Sequence, residues 1–182
     1  MTLYTVGHGT RSADDAGRLL GDTSISLVID VRAHPGSRRH PQFGQAEMER
    51  WLPAAGLGYR WEPGLGGRRP SSPTSRHVSL KVPAFRAYAD YMETAEFATA
   101  LDGVLAESER RATTVMCAES LWWRCHRRLV ADAAVLLRGH RVVHLLPNGR
   151  TTEHTPMPEA RVDDGMLVYD GGNEPLPGTS GT

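Results

Sequence analysis

An α/β fold, with a mostly parallel sheet flanked by helices in a single domain, is what this sequence predicts. Short apolar or β-branched runs alternate with segments of helical period. Between residues 113 and 146 the chain runs strand, helix, glycine, strand, which is a parallel crossover unit. The 182 residues, 40% of them hydrophobic, suffice for one buried core without disulfide staples.

Residues 3–6 read as a short strand ending in Gly7-His8-Gly9-Thr10, and Ser12 as the N-cap of a helix over 12–20. Residues 26–32 form a second strand, apolar enough to be buried on both faces, and it stops at the turn Ala33-His34-Pro35-Gly36. A short helix over 45–52 and a short strand over 56–61 follow, then a glycine-rich stretch through Arg68 and a Ser/Pro-rich run over 71–75. Long connections of this kind in a compact domain are usually functional or disordered.

Pro83 opens an amphipathic helix over 83–108, interrupted near Thr94, in which Phe85, Tyr88, Phe97, Leu101 and Val104 recur at helical spacing. A strand over 113–117, a helix over 124–138 stopped by Gly139, and a strand over 141–146 complete the crossover. Beyond Pro147 the chain reads as loop except for a strand over 166–169, and the last dozen residues read as a frayed tail. The organisation expected is a domain over 1–161 with a partly flexible C-terminal extension over 162–182.

No run reaches the roughly 18 apolar residues of a membrane span, and the N-terminus opens into a strand rather than a signal sequence, so a cytoplasmic protein without a membrane partner is expected. Two cysteines without a secretory signal argue against a disulfide framework and for thiols used in chemistry, metal binding or packing. The formal net charge is zero, yet 20 of the 21 basic residues are arginine, the planar, bidentate partner of phosphate and carboxylate. Between Arg32 and Arg69 seven arginines face three acids, so this segment can meet an anion.

In open α/β sheets, ligands bind outside the carboxyl ends of the strands. Three predicted strands end in chemically capable residues: His8 and Thr10, Asp30 with Arg32, and Cys117 with Glu119. Cys117 leaves a strand and Cys125 opens a helix, where the dipole and Arg124, Arg127 and Arg128 favour a thiolate. A thiolate there is a sensible nucleophile, although a buried cysteine also packs as a small hydrophobe. Cys117, Cys125, His126 and His8 can also make a soft tetrahedral set for zinc, but the eight-residue spacing is not that of a zinc knuckle, and no cofactor is expected. Arg32, Arg38, Arg39, Arg68 and Arg69 follow strands or glycine turns, where they can hold phosphate, or they are solvated surface groups. Trp122 and Trp123 flank the thiol loop as stacking, lid or core residues. His144, inside a strand, is expected as a satisfied core residue, and His140, beside a turn, as an exposed one.

The pieces Thr5 through Ser12, Ile29-Asp30-Val31-Arg32 with Pro35, Ser37-Arg38, Phe43, Tyr59, Leu65-Gly66-Gly67-Arg68 and Tyr88 through Met92 make a recognisable set. With Met116-Cys117-Ala118-Glu119, Cys125-His126-Arg127-Arg128 and the His144 and His154 region, the sequence resembles the DUF488 family of bacterial and archaeal proteins. That resemblance implies a fold and site residues but no reaction. A more distant similarity is to rhodanese-like sulfurtransferases, through residues 27–32 and a cysteine that ends a strand.

The expected function is that of an enzyme or binding protein for a nucleotide or nucleic acid. Cys117, Glu119, Cys125 and His126 are the catalytic candidates, and His8, Thr10, Arg11, Asp30, Arg32, Arg38, Arg68 and Arg127 the substrate-binding ones. The alternatives are a non-catalytic nucleic-acid or protein-binding module with structural, zinc-binding cysteines, and rhodanese-like sulfur transfer. The geometric expectation common to these readings is that the strand-end residues meet at one sheet edge, with Cys117 and Cys125 within roughly 10 Å.

Overall fold

In the first strand, β1 (Thr2–Gly7), side chains alternate between the two faces: Leu3 joins one apolar cluster and Val6 another. The same division runs through β2 (Leu27–Asp30), with Ile29 on one side and Val28 on the other, and β4 (Thr113–Cys117), with Val115 opposed to Met116. Both strands are buried throughout, as β-branched runs covered on two faces must be. The computed structural model describes residues 2–36 and 38–172; Met1, Ser37 and residues 173–182, which make up most of the tail expected to fray, lie outside the described residues.

The sheet has six strands in the order β3-β2-β4-β1-β5-β6, where β3 is Gly58–Trp61, β5 is Arg141–Leu145 and β6 is Thr151–Glu153. Its first five strands run parallel, and β6 pairs antiparallel with β5. Helices α1 (Ala13–Asp22) and α2 (Gln45–Ala54) bury Ala16, Leu20, Met48 and Leu52 on one face. On the opposite face α3 (Pro83–Met92), α4 (Ala95–Arg110) and α5 (Arg127–Arg138) bury Tyr88, Leu101, Val104 and Leu129. Each fully buried aliphatic side chain contributes about 1.5–3 kcal/mol relative to an exposed one. The hairpin β7 (Ala160–Asp163) and β8 (Met166–Tyr169) packs on this second face and places Leu167 and Tyr169 in its core.

The helix starts and stops have local causes. Ser12 accepts from the backbone N–H of Asp15 at the start of α1, and Thr94 caps α4 by accepting from Phe97 N–H, so the long amphipathic stretch breaks into α3 and α4 where the sequence predicts. Gly139 ends α5 in the left-handed region at φ 64°.

Three expectations are corrected. The last helix begins at Arg127 rather than Arg124, because residues Trp122–Arg124 close a separate 3-10 turn and Cys125 is extended at φ −124°. The segment after Pro147 is not plain loop, since β6 and β7 find partners there. His140 is half-buried rather than exposed, with Nε2 3.3 Å from Ser108 Oγ. His144 is wholly buried and bonded, as a core histidine should be.

The connections after β1 and β4 diverge to opposite faces: α1 follows β1 on one side, and α5 follows β4 on the other. The two strands are neighbours, with Gly7 opposite Cys117. Their carboxyl ends therefore part and leave a crevice, the usual ligand position in such sheets.

Candidate functional site

The chain leaving β1 is bound to the chain leaving β4. His8 N–H donates to the Cys117 carbonyl and Gly9 N–H to that of Ala118, each at 3.0 Å. The approach is so close that a Cβ on Gly7 would stand 2.0 Å from the Glu119 carbonyl oxygen, so only glycine fits there. His8 donates from Nδ1 to the Gly9 carbonyl at 2.9 Å and stacks on Phe43 with ring centroids 4.1 Å apart. Burial lowers its pKa to about 4, so the ring is neutral and Nε2 accepts from Arg32 Nη1 at 3.3 Å.

Arg32 leaves β2 and folds back on Asp30, which it grips with Nε at 2.8 Å and Nη2 at 2.5 Å; Nη2 also donates to the Phe43 carbonyl at 2.7 Å. Tyr59 donates its hydroxyl to the same carboxylate at 3.0 Å. Burial, and then that carboxylate, push the Tyr59 phenol well up. The bidentate grip fixes the guanidinium of Arg32, a residue only 7% exposed, at the cleft wall.

Cys117, Cys125 and His126 bring their Sγ, Sγ and imidazole nitrogen within 4.8 Å of one another. His126 Nε2 lies 3.1 Å from the Val31 carbonyl, which can only accept, so Nε2 carries a hydrogen and Nδ1 is left facing Cys125 Sγ at 3.6 Å. Behind the thiols the buried Arg127 donates from Nε to Cys125 Sγ at 3.4 Å and from Nη2 to the Glu119 carbonyl. The Cys117 thiol, and then His126 and Arg127, hold the Cys125 thiol well below its ordinary value. The same thiol pairing, with burial, pushes Cys117 up. The two thiols at the floor of the site are thus driven apart in acidity, Cys125 downward and Cys117 upward.

The loop Leu65 to Arg68 forms the opposite wall and is pinned from α3. Tyr88 donates to the Leu65 carbonyl at 2.7 Å and Tyr91 to that of Gly64 at 2.6 Å, while Arg69 stacks 3.5 Å over the Tyr91 ring. A Cβ on Gly67 would approach His126 Nδ1 to 3.0 Å, so the glycine lets the loop close on the imidazole.

The cleft so formed has a volume of about 910 Å³. Of the residues singled out from sequence, His8, Thr10, Arg32, Arg68, Cys117, Glu119, Cys125 and His126 line it. Asp30 and Arg127 stand behind the lining and hold Arg32 and Cys125. Arg38 is exposed and Arg39 lines the cleft instead, whereas Arg11 turns away and donates to the Pro147 carbonyl at 2.7 Å. Arg124, His34 and His40 join the lining. Among the described residues, four arginines and four histidines line the cleft and one acid, Glu119, opposes them.

The family described as domain of unknown function DUF488 matches residues 12–134. The chain belongs to the DUF488 family. The DUF488 match takes in Arg32, Arg68 and the whole thiol cluster, while His8 and Thr10 precede it. No curated protein and no solved structure matches this DUF488 chain. The distant similarity to rhodanese-like sulfurtransferases finds no support among the comparisons.

Sequence reasoning missed one further network in this DUF488 chain. Asp132 of α5 accepts from His154 Nε2 at 2.8 Å, His154 Nδ1 accepts from His144 Nε2 at 2.9 Å, and His144 Nδ1 accepts from the Thr5 hydroxyl at 2.7 Å. Tyr169 and the Met157 N–H donate to the same carboxylate, at 3.0 and 3.1 Å. Burial takes His144 down to a pKa of about 3. Trp122 stacks on His144 at 3.9 Å with the rings nearly parallel at 5°, so the network braces the turn that delivers Cys125, while Trp123 stays exposed. Its members lie far apart in sequence, and no local pattern announces them. Among the described residues, no helix is long and apolar enough to cross a membrane.

Proposed function

We propose that this DUF488 protein is an enzyme acting on a phosphate-bearing substrate of the nucleotide or nucleic-acid class. Arg39, Arg68 and Arg124 hold the phosphate over the centre made by Cys117, Cys125 and His126. The observation that carries this reading is the cleft itself, about 910 Å³ and lined, among the described residues, by Arg39, Arg68 and Arg124 besides the Asp30-paired Arg32, against the carboxylate of Glu119. A cleft of one sign in a low-dielectric wall concentrates anions, and guanidinium forks match phosphate oxygens in pairs. Phe85, partly buried at the cleft wall, supplies an aromatic face on which a base can stack. The electron-rich sulfur of Cys125 lies at the floor, and Glu119, whose Oε1 accepts from Leu121 N–H at 3.2 Å, is the carboxylate placed to take or give a proton.

The test is equilibrium binding of pyrophosphate, nucleoside triphosphates, single-stranded DNA and RNA at several salt concentrations. Affinity is expected to fall steadily as salt rises. The Arg68→Ala and Arg124→Ala variants should each bind about 10- to 100-fold more weakly, the worth of a charge-assisted hydrogen bond. Absence of binding to all four ligands at low salt defeats the reading.

A further inference from the structure

We propose that Cys117, Cys125 and His126 form a site for one zinc ion, with three protein ligands and a fourth position open to the cleft. The inference deepens the reading of the thiol cluster as the reactive centre and rests on the cleft reading only for what fills the fourth position.

The geometry is that of a site needing small adjustment. In tetrahedral zinc with Zn–S of about 2.3 Å and Zn–N of about 2.0–2.1 Å, a sulfur and a nitrogen ligand stand roughly 3.6 Å apart and two sulfurs roughly 3.8 Å. Cys125 Sγ and His126 Nδ1 already stand 3.6 Å apart, and all three donor atoms lie within 4.8 Å of one another. A closing movement of roughly 1 Å among the three donors completes the tetrahedral spacing. The histidine is also prepared as a ligand: its Nε2–H is tied to the Val31 carbonyl at 3.1 Å, which fixes the ring and the tautomer and leaves the Nδ1 lone pair aimed at the cluster. Such a backbone anchor is the usual outer-shell partner of a metal-bound imidazole. Arg127 Nε, 3.4 Å from Cys125 Sγ, is a second anchor of the same kind on a thiolate.

The donor set selects the metal class. Two thiolates and an imidazole are soft ligands that favour zinc over magnesium or calcium, and their two negative charges balance a divalent cation. On zinc entry, the protons that the thiols still carry leave to solvent. Three protein ligands beside an open cleft are the composition of a catalytic rather than a structural zinc site. Water or a phosphoryl oxygen then occupies the fourth position, and zinc would act there as a Lewis acid.

The full chain, purified without an affinity metal, is analysed for metal content and then stripped with chelator and titrated with zinc chloride against a chromogenic chelator. One zinc per chain is expected, and cobalt in its place should give the intense absorption of tetrahedral thiolate coordination. His126→Ala and Cys117→Ala should each weaken zinc at least 10-fold. Far-ultraviolet circular dichroism of both variants without metal controls for folding, and Cys125→Ser gives a third reading should either variant fail to fold. Zinc that is absent on purification and does not bind the stripped protein, or that binds equally to the folded variants, overturns the proposal. Pyrophosphate binding to the stripped protein separates the two readings. If it persists and depends on Arg68 while zinc does not bind, only the metal site falls; if zinc binds and pyrophosphate does not, only the substrate class falls.

Discussion

Replacing Asp132 with alanine should remove the acceptor on which the whole buried histidine chain depends. Three donors converge on that carboxylate: His154 Nε2 at 2.8 Å, the Met157 N–H at 3.1 Å and the Tyr169 hydroxyl at 3.0 Å. Asp132 and Tyr169 are fully buried and His154 nearly so, which leaves solvent little access to the orphaned groups. A buried donor left without a partner costs about 1–3 kcal/mol, so three of them amount to roughly 3–6 kcal/mol once a water enters the vacated space. Against a total of about 5–15 kcal/mol for a domain, that is a large fraction. Asp132→Asn keeps one acceptor and should lose markedly less, and Tyr169→Phe, which removes one donor, should cost about 1 kcal/mol. Urea unfolding at neutral pH, with the midpoint read at unchanged slope, measures all three. A loss below about 1 kcal/mol for Asp132→Ala would refute the reasoning, since the chain would then be incidental to stability.

Stability should also fall on mild acidification. Burial lowers His144 to about 3 and His8 to about 4 from the ordinary 6.5. Below pH 6.5 the unfolded chain takes up these protons and the folded one does not, so the contribution of each is complete above 6.5 and is lost as pH falls toward the folded value. The slope is about 1.4 kcal/mol per pH unit for each histidine. Unfolding free energies equal at pH 7 and pH 5 would contradict this. Gly7→Ala, whose new Cβ would meet the Glu119 carbonyl at 2.0 Å, should force the ends of β1 and β4 apart. It should cost about 1–3 kcal/mol and abolish pyrophosphate binding, whereas full binding with unchanged stability would show that the close approach is unimportant.

The strands β1, β2, β4 and β5 were legible because each carries a β-branched or apolar run of the right length. By contrast β6 and β7 are three and four residues of mostly polar, partly exposed chain, and they exist because β5 and β8 offer edges to pair with. The start of α5 was misplaced by three residues because Arg124 is a good helix former, and His126 at the N-cap makes no side-chain capping bond that would mark the boundary. For the candidate site, the strand-end residues were legible from the rule of carboxyl ends, whereas the close approaches at Gly7, Gly9, Gly66 and Gly67 emerge only in the fold. Arg38 and Arg39 could not be told apart, because which neighbour faces the cleft depends on how the loop after β2 turns over His8 and Phe43.

By itself the sequence determined what local physics controls: the main strands and helices, their caps, and the presence of thiols, imidazoles and guanidinium groups at the strand ends. Tertiary structure alone decided which of these groups share a bond. His126 meets the Val31 carbonyl across 95 residues, and Thr5 meets His144 across 139. Those meetings follow from the order β3-β2-β4-β1-β5-β6, which places β4 between two strands that precede it. Strand order is set by the total burial of both sheet faces under five helices, a sum over the whole chain that no window of sequence contains.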